Sequence, residues 1–397
     1  MLEWKLIRLG DICKTNENSY YPKDNWKFVN YLDTGSLTEN KITELQYINT
    51  KTDKMPSRAR RKVIKNSILY STVRPNQLHY GIIKEPVDNL LVSTGFTVID
   101  VDTNKAIPEF IYYLLIQNNT TEQLQAIAEQ SVSTYPSIKP SDIENLEFKL
   151  PNLIIQSKIV SILDTIDSKI RQNEKINNNL EQQAQAYFDE LFVVNADPNW
   201  SECTLSDIGS VVAGGTPSKS KPDYYADQGI AWITPKDLSV NKSKFISHGE
   251  NDISELGFSK SSAAKMPAGT ILFSSRAPIG YIAIAQNEIT TNQGFKSVIP
   301  HENISTAYMY FLLKNLLPTI EGMASGSTFK EISGTAMKSV PTVMPDADTI
   351  QLFSSFCEPV FKEQEILEAE NQCLSALRNS LLPKLMSGEL DVSNIDL

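Results

Sequence analysis

Apolar residues along this chain follow two rhythms. Short runs rich in β-branched and aromatic residues are bounded by Gly, Pro or Asn. Residues 62–73 (KVIKNSILYSTV), 90–101 (LLVSTGFTVIDV), 269–275 (GTILFSS) and 280–285 (GYIAIA) read as strands on that ground. The Leu-rich segments 108–119 (PEFIYYLLIQNN) and 306–317 (TAYMYFLLKNLL) read as helices, and 131–143 and 325–337 as loops entering a short turn or helix. A second rhythm begins after Pro151. Residues 152–192 contain neither Gly nor Pro, and Ile155, Ile159, Ile162, Ile166, Ile170, Ile176, Leu180, Tyr187 and Leu191 recur at spacings near three and four, with a polar interruption around Asn173. A helix of about 40 residues is about 60 Å long. Near the other end, Leu352, Phe356, Val360, Leu367, Leu374, Leu377, Leu381 and Leu385 carry a similar stripe, which Pro359 is expected to kink or divide and Pro383 and Gly388 to end. So narrow a stripe asks for a partner helix, with the other long helix the nearest candidate. The alternative is packing of each helix on its own globular segment.

The pattern is duplicated. Trp4, Leu9, Asp11 and Ile12 recur as Trp200, Leu205, Asp207 and Ile208. Tyr20, Tyr21, Val29 and Asp33 recur as Tyr224, Tyr225, Ile233 and Asp237, and ILYS at 68–71 recurs as ILFS at 271–274. Gly95-Phe96 returns as Gly294-Phe295, YYLL at 112–115 as YFLL at 310–313, and Pro151 as Pro345. The order is kept while the offsets drift by a few residues, as loop insertions and deletions produce. The expected division is a mixed α/β segment 1–151, a long helix 152–195, a second mixed α/β segment 196–345, and a long helix with tail 346–397. The copies differ most at 14–28 and 34–65 and at their counterparts 210–228 and 238–268.

Composition changes this picture little. The 397 residues are 41% hydrophobic and 21% charged, which excludes wholesale disorder and collagen-like repeats. No run approaches the roughly 20 apolar residues of a membrane-spanning helix, and the opening MLEWKLIRLGDI lacks a signal-like apolar region, so a cytoplasmic protein is expected. Cys13, Cys203, Cys357 and Cys373 form no CxxC pair, and His79, His248 and His301 are scattered, so neither a disulfide framework nor a metal site is expected. The net charge of −10 is concentrated at one end: residues 1–151 hold 18 Lys+Arg against 18 Asp+Glu, and 196–345 hold 12 against 13, whereas 346–397 hold 3 against 10. Each large segment can therefore present a basic face.

The chain resembles the specificity subunits of type I restriction-modification systems. The resemblance covers essentially its whole length. It is carried by WSECTLSDI from Trp200, GGTPSKSKPDYY from Gly214, GIAWITPKDL from Gly229, ILFSSRAPIGYIAIA from Ile271 and TTNQGF from Thr290, with FVNYLDTGSL from Phe28 and ILYSTVRPN from Ile68 in the first copy and LRNSLLPKLMSGEL from Leu377. It implies an α+β architecture: two target-recognition domains with a pseudo-twofold repeat, separated by two long helices that pair as an antiparallel coiled coil. It implies a chain that carries no chemistry and no cofactor, reads a bipartite site on double-stranded DNA, and recruits two modification subunits, which use S-adenosylmethionine to methylate adenine, and ATP-dependent restriction subunits. The first copy departs from the pattern, with KTNENSYYPKDNW in place of a GGTP segment, which suggests a different recognition subtype and a different half-site.

Several residues suit DNA contact. Within 54–65, Lys54, Arg58, Arg60, Arg61, Lys62 and Lys65 occur with no acid among them, a pattern fit for phosphate or guanine or for a solvated charged face. Arg74 follows a strand-like run, with Asn76 and Gln77 beside it, and Arg276 follows the equivalent run. An Arg present in both copies suits phosphate better than differing bases, and a framework ion pair is the alternative. Asn292 and Gln293, which replace Ser93-Thr94, match adenine or a turn hydrogen bond. Thr216, Ser218, Lys219 and Lys221 form a Gly/Pro-punctuated loop able to hold phosphate, and Ser327 and Lys330 have similar standing, as do Ser133 and Tyr135. The aromatics Tyr20, Tyr21, Tyr224, Tyr225 and Trp232 are expected in the core.

Enzymatic readings find little support. There is no Asn/Asp-Pro-Pro-Tyr/Phe motif and no GxxxxGK[ST] loop. Asp142, Glu147 and Lys149 form one nuclease-like D…ExK hit, which the second copy replaces with Ala336, Pro341 and Val343. A double-headed coiled-coil adaptor for proteins is the remaining alternative. It explains the repeat and the helices but not the basic run.

Overall fold

The computed structural model describes residues 4–131, 135–326 and 330–395. The chain divides into two compact units, one of residues 1–169 with 374–397 and one of residues 170–373. Each long helix contributes to both.

In the first unit, Lys5–Arg8 pairs antiparallel with Glu147–Leu150. One four-stranded sheet runs Cys13–Thr15, Phe96–Val101, Ser67–Ser71, Tyr80–Ile83; a second runs Gln46–Asn49, Phe28–Leu32, Leu90–Ser93, Ala59–Lys62. Phe28–Leu32 and Leu90–Ser93 are parallel neighbours. The second unit repeats this plan. Ser201–Thr204 pairs with Pro341–Met344. A five-stranded sheet runs Gly209–Ala213, Lys296–Pro300, Ile271–Ser275, Ile279–Ala285, Phe245–Ile246, and a four-stranded one Tyr225–Ala226, Asn251–Ile253, Ile230–Ile233, Thr290–Thr291. Its parallel pair, Ile230–Ile233 with Thr290–Thr291, stands where Phe28–Leu32 and Leu90–Ser93 stand in the first. The duplication read from residue matches is thus a duplication of topology. The helices Pro108–Leu115 and Thr306–Asn315 are apolar on nearly every side because each is enclosed by its unit's core.

The central helix spans Leu153–Asp189 and continues into a wider π-type turn, Glu190–Val194. Asn152 caps it, its Oδ1 accepting from the Ile155 N–H at 3.0 Å. The second long helix, Ala347–Ser387, is capped by Asp346, whose Oδ1 accepts from the Thr349 N–H at 2.8 Å. The helices pair antiparallel in each unit. In the first, Ile155, Ile159 and Leu163 share a core with Leu382 and Leu385. In the second, Phe188 meets Phe353 with ring centroids 5.7 Å apart and Asn173 Nδ2 donates to Glu370 at 2.6 Å.

Three expectations about these helices are corrected. Pro359 does not divide the second helix, and Pro383 does not end it: both lie inside Ala347–Ser387, and Gly388 follows its end. Each proline removes one intrahelical bond, but the adjacent turns are held by burial of Phe353, Cys357, Leu382 and Leu385. The inward stripe also differs from the one read by spacing. Ile176, Leu352 and Leu377 are exposed, whereas the polar Gln156, Asn173 and Gln364 are buried. Asn173 and Asn177, four apart, take the inward positions near the middle of the central helix, and Ile176 is turned outward. Finally, packing on a partner helix and on a globular segment are not alternatives: Phe188 touches Phe353 on the other helix and Phe311 in the helix Thr306–Asn315.

Candidate nucleic-acid interface

Part of the basic run of the first unit, Ala59–Lys62, forms the last strand of the second four-stranded sheet, with residues 18–20 bonded along its outer side. Ala59 is buried and anchors it, while Arg60 faces solvent, as strand alternation demands. The Arg58 carbonyl accepts from the Thr94 N–H at 2.9 Å, which sets the strand against the Ser93–Phe96 turn. Lys54, Arg58 and Arg60 are exposed, and Arg60 Nε donates to the Ser57 carbonyl at 3.4 Å. Two members of the run have other tasks. Lys62 pairs with Asp24 at 3.0 Å and lies 5.2 Å from the Trp26 ring centroid, so the run is not without counter-charge in space. Arg61 is half-buried, with Nε enclosed and unpartnered. Close to Arg58, burial pushes the Asp33 carboxyl up, but hydrogen bonds from Tyr31 and Thr34, with the Arg58 charge, bring it below its ordinary value. Arg74 is exposed in a left-handed conformation, its guanidinium 5.4 Å from the Tyr135 ring centroid, with Asn76 and Gln77 exposed beside it.

The second unit joins two of the segments singled out in the sequence. Gly215 N–H donates to the Thr291 carbonyl at 2.8 Å, Thr216 hydroxyl donates to the Gln293 carboxamide, and Trp232 Nε1 donates to the Gly215 carbonyl at 3.0 Å. The GGTP segment needs both glycines there, since a Cβ on Gly214 would overlap the Thr291 and Asn292 carbonyl oxygens and one on Gly215 would overlap Ser262 and Ala263. Beyond them Ser218, Lys219 and Lys221 are exposed, with the Ser218 hydroxyl 2.9 Å from that of Ser220.

Other candidates have structural partners. Asn292 Oδ1 accepts from the Gly294 N–H at 2.8 Å, the turn bond weighed against base contact, whereas Gln293 is exposed. Arg276 pairs with Glu331 at 3.4 Å, the framework alternative, and Lys296 approaches the same carboxylate at 3.7 Å. Lys330 is exposed; Ser327 and Ser133 lie outside the described residues. Of the aromatics assigned to the core, Tyr20 and Trp232 are buried, Tyr224 and Tyr225 are half-buried, and Tyr21 is exposed because its turn leaves the sheet. The nuclease-like residues are structural: Asp142 accepts from the Lys139 N–H at 2.7 Å and Glu147 sits in the strand opposite Arg8. Among the described residues no group of three or more His, Cys, Asp or Glu could hold a metal ion, and no helix is long and apolar enough to cross a membrane.

Residue spacing missed Lys23, Lys27 and Lys51, all exposed beside the same sheet, with Lys27 and Thr50 joined backbone to backbone at 3.2 Å. They are interspersed with acids along the chain, and pairing of Phe28–Leu32 with Gln46–Asn49 brings Lys27 and Lys51 to the same end of those strands. At equivalent turns the units thus display different groups: Thr94, with Ser93 buried behind it, beside an arginine-bearing strand in one, Gln293 beside a Thr/Ser/Lys loop in the other.

The chain is 27% identical to the type I restriction enzyme HindI specificity subunit of Haemophilus influenzae over 466 aligned positions, covering 98% of this chain and all of that one. It is 38% identical over 190 residues to the MjaIX specificity subunit of Methanocaldococcus jannaschii, covering 46% of this chain and 44% of the other. Its fold is similar to that of the type I restriction-modification S subunit from M. genitalium, with a TM-score of 0.59 at 16% identity over 97% of this chain and 96% of that one. The family model described as the type I restriction modification DNA specificity domain matches residues 1–182 and again 198–375, once on each copy of the repeat, and the chain belongs to that family.

Proposed function

We propose that this chain is the non-catalytic specificity subunit of a type I restriction-modification complex, which reads a bipartite DNA site and directs adenine methylation and restriction by partner subunits. The observation that carries this reading is the specificity-domain match on both copies of the repeat. The segments 1–151 and 196–345 are the two recognition domains, each reading one half-site, with 152–195 and 346–397 as the long-helix segments. The partners are double-stranded DNA, two modification subunits and restriction subunits, and a cytoplasmic location follows from that work.

In the first unit the proposed DNA-binding residues are Lys54, Arg58, Arg60, Arg61, Lys62, Arg74, Asn76 and Gln77. Arg58 and Arg60 lead, being exposed in the turn before the strand Ala59–Lys62 and on that strand, and Lys62 is shared with Asp24. In the second they are Thr216, Ser218, Lys219, Lys221, Arg276, Asn292, Gln293, Ser327 and Lys330. Gln293, whose carboxamide oxygen holds Thr216, and the Ser218–Lys221 loop are exposed to solvent, whereas Arg276 and Asn292 act mainly through the framework. Phosphate contacts position the duplex and planar groups such as Gln and Arg discriminate bases.

The test is to combine the chain with its modification subunits and sequence the methylated adenines. A split motif that disappears when this chain is omitted is expected. A contiguous motif, or methylation unchanged without the chain, would overturn the reading.

A further inference from the structure

Lys244 stands just before the edge strand Phe245–Ile246 of the second unit's five-stranded sheet, and its side chain is almost wholly enclosed, with 6% of its surface exposed. Every polar group it carries is engaged. Its backbone N–H donates to Glu368 of the second long helix at 2.9 Å, and its carbonyl accepts from the Ile284 N–H of the neighbouring strand at 2.7 Å. Its ammonium donates to Gln364 of the second helix at 2.6 Å and pairs with Glu181 of the central helix. One residue thus ties the sheet to both helices.

The socket that receives it is built for a cation. The ring centroids of Phe361, Tyr310 and Phe311 lie 4.0, 4.7 and 5.3 Å from the Lys244 nitrogen, a geometry in which π faces attract an ammonium. Glu181 also accepts from Lys314 at 2.5 Å and from the Tyr310 hydroxyl at 3.3 Å. Burial pulls the Lys244 ammonium below its ordinary pKa, while the two lysines hold the Glu181 carboxyl below its own despite burial. So dry an ion pair contributes little net stability against an apolar replacement, whereas it tolerates only a narrow geometry.

We propose that Lys244 is a positioning residue: by locking the edge of the five-stranded sheet to both long helices, it sets the orientation of the second unit's reading surface and hence discrimination at one half-site. The path is short. The locked edge strand Phe245–Ile246 pairs with Ile279–Ala285, which pairs with Ile271–Ser275, and Ser275 N–H donates to the Gly294 carbonyl at 2.7 Å beside Gln293. The role rests on the DNA-reading function proposed above.

The test uses the complete chain with its modification subunits and DNA carrying single wrong bases in each half-site. Lys244→Met keeps the length and fills the aromatic socket; Glu181→Gln keeps the shape and removes the charge that holds the ammonium, and stands in should the first variant not assemble. For either, methylation of sites with one wrong base is expected to rise roughly 2- to 30-fold relative to the correct site, in one half-site only. A merely structural loss would lower methylation of all sites in proportion. An unchanged mismatch profile, or relaxation of both half-sites alike, overturns the positioning role. If the wild-type complex itself reads no split site, the DNA-reading function fails first and the role with it.

Discussion

Arg378 donates from Nη1 to Oδ1 of Asp167 at 3.0 Å, joining the second long helix to the central helix within the first unit. The other oxygen of Asp167 accepts from the Tyr113 hydroxyl at 2.7 Å, so both carboxylate oxygens are satisfied and the helix pair is tied to the domain's core helix. The Asp167 and Arg378 side chains are 14% and 29% exposed. Asp167→Ala strands a half-buried guanidinium and a buried phenol. It is expected to cost about 2 kcal/mol, less than a fully buried pair because water reaches Arg378. Tyr113→Phe is expected to cost about 1 kcal/mol. Denaturant unfolding of the two variants checks both figures, and equal stability of wild type and Asp167→Ala would dismiss this tie.

Gly214→Ala places a methyl group against two backbone carbonyls that cannot both retreat without breaking the Gly215–Thr291 bond. A loss of about 1–3 kcal/mol is expected, together with weakened recognition of one half-site. Ser218→Ala, on the exposed part of the same loop, is expected to leave stability unchanged. Thermal melts and duplex binding of the pair separate the loop's scaffold from its contacts.

Arg58→Ala with Arg60→Ala is expected to weaken duplex binding across sequences. The slope of log affinity against log salt should become shallower by about 0.9 for each phosphate that the variant no longer neutralises. Arg61→Ala is expected to change the slope less, because the residue is half-buried and its Nε is enclosed. An identical slope for the double variant and wild type would return this strand to the role of a solvated face.

Exchanging residues 196–345 for the same segment of another specificity subunit is expected to change one half-site and leave the other. The exchanged piece carries Lys244, Tyr310 and Lys314, whereas Glu181, Gln364 and Glu368 stay behind. Segments that supply the same three side chains are therefore expected to assemble, and those lacking the lysine to lose fidelity. Methylation mapping of such hybrids provides the measurement, and a change in both half-sites would show the two reading surfaces to be interdependent.

The duplication was legible because insertions in loops leave the framework residues in order: Val29 and Ile233, Leu69 and Leu272, Phe96 and Phe295 are buried in both units. The strands around them were legible from alternation and turn residues. The helix seam was legible only in outline. Spacing cannot tell which neighbour a helix face meets: Ile176 and Leu377 fit the inward stripe by spacing yet are exposed, while Asn173 and Gln364, polar by type, are buried. Their burial is tolerable because each has partners on the facing helix: Glu370 and Asn371 for Asn173, Asn177 for Gln364.

The duplication, the two long helices and the residue types available for DNA depend on order and periodicity along the chain, and are legible from it alone. The fold sets which charges are free. Asp24 lies 38 residues from Lys62 and Glu331 lies 55 from Arg276, yet each quenches its partner. It also decided that Lys244, one lysine among many in the sequence, sits in an aromatic socket between helices. Coulomb and hydrogen-bond interactions act over a few ångströms of space, and distance along a folded chain says almost nothing about that separation.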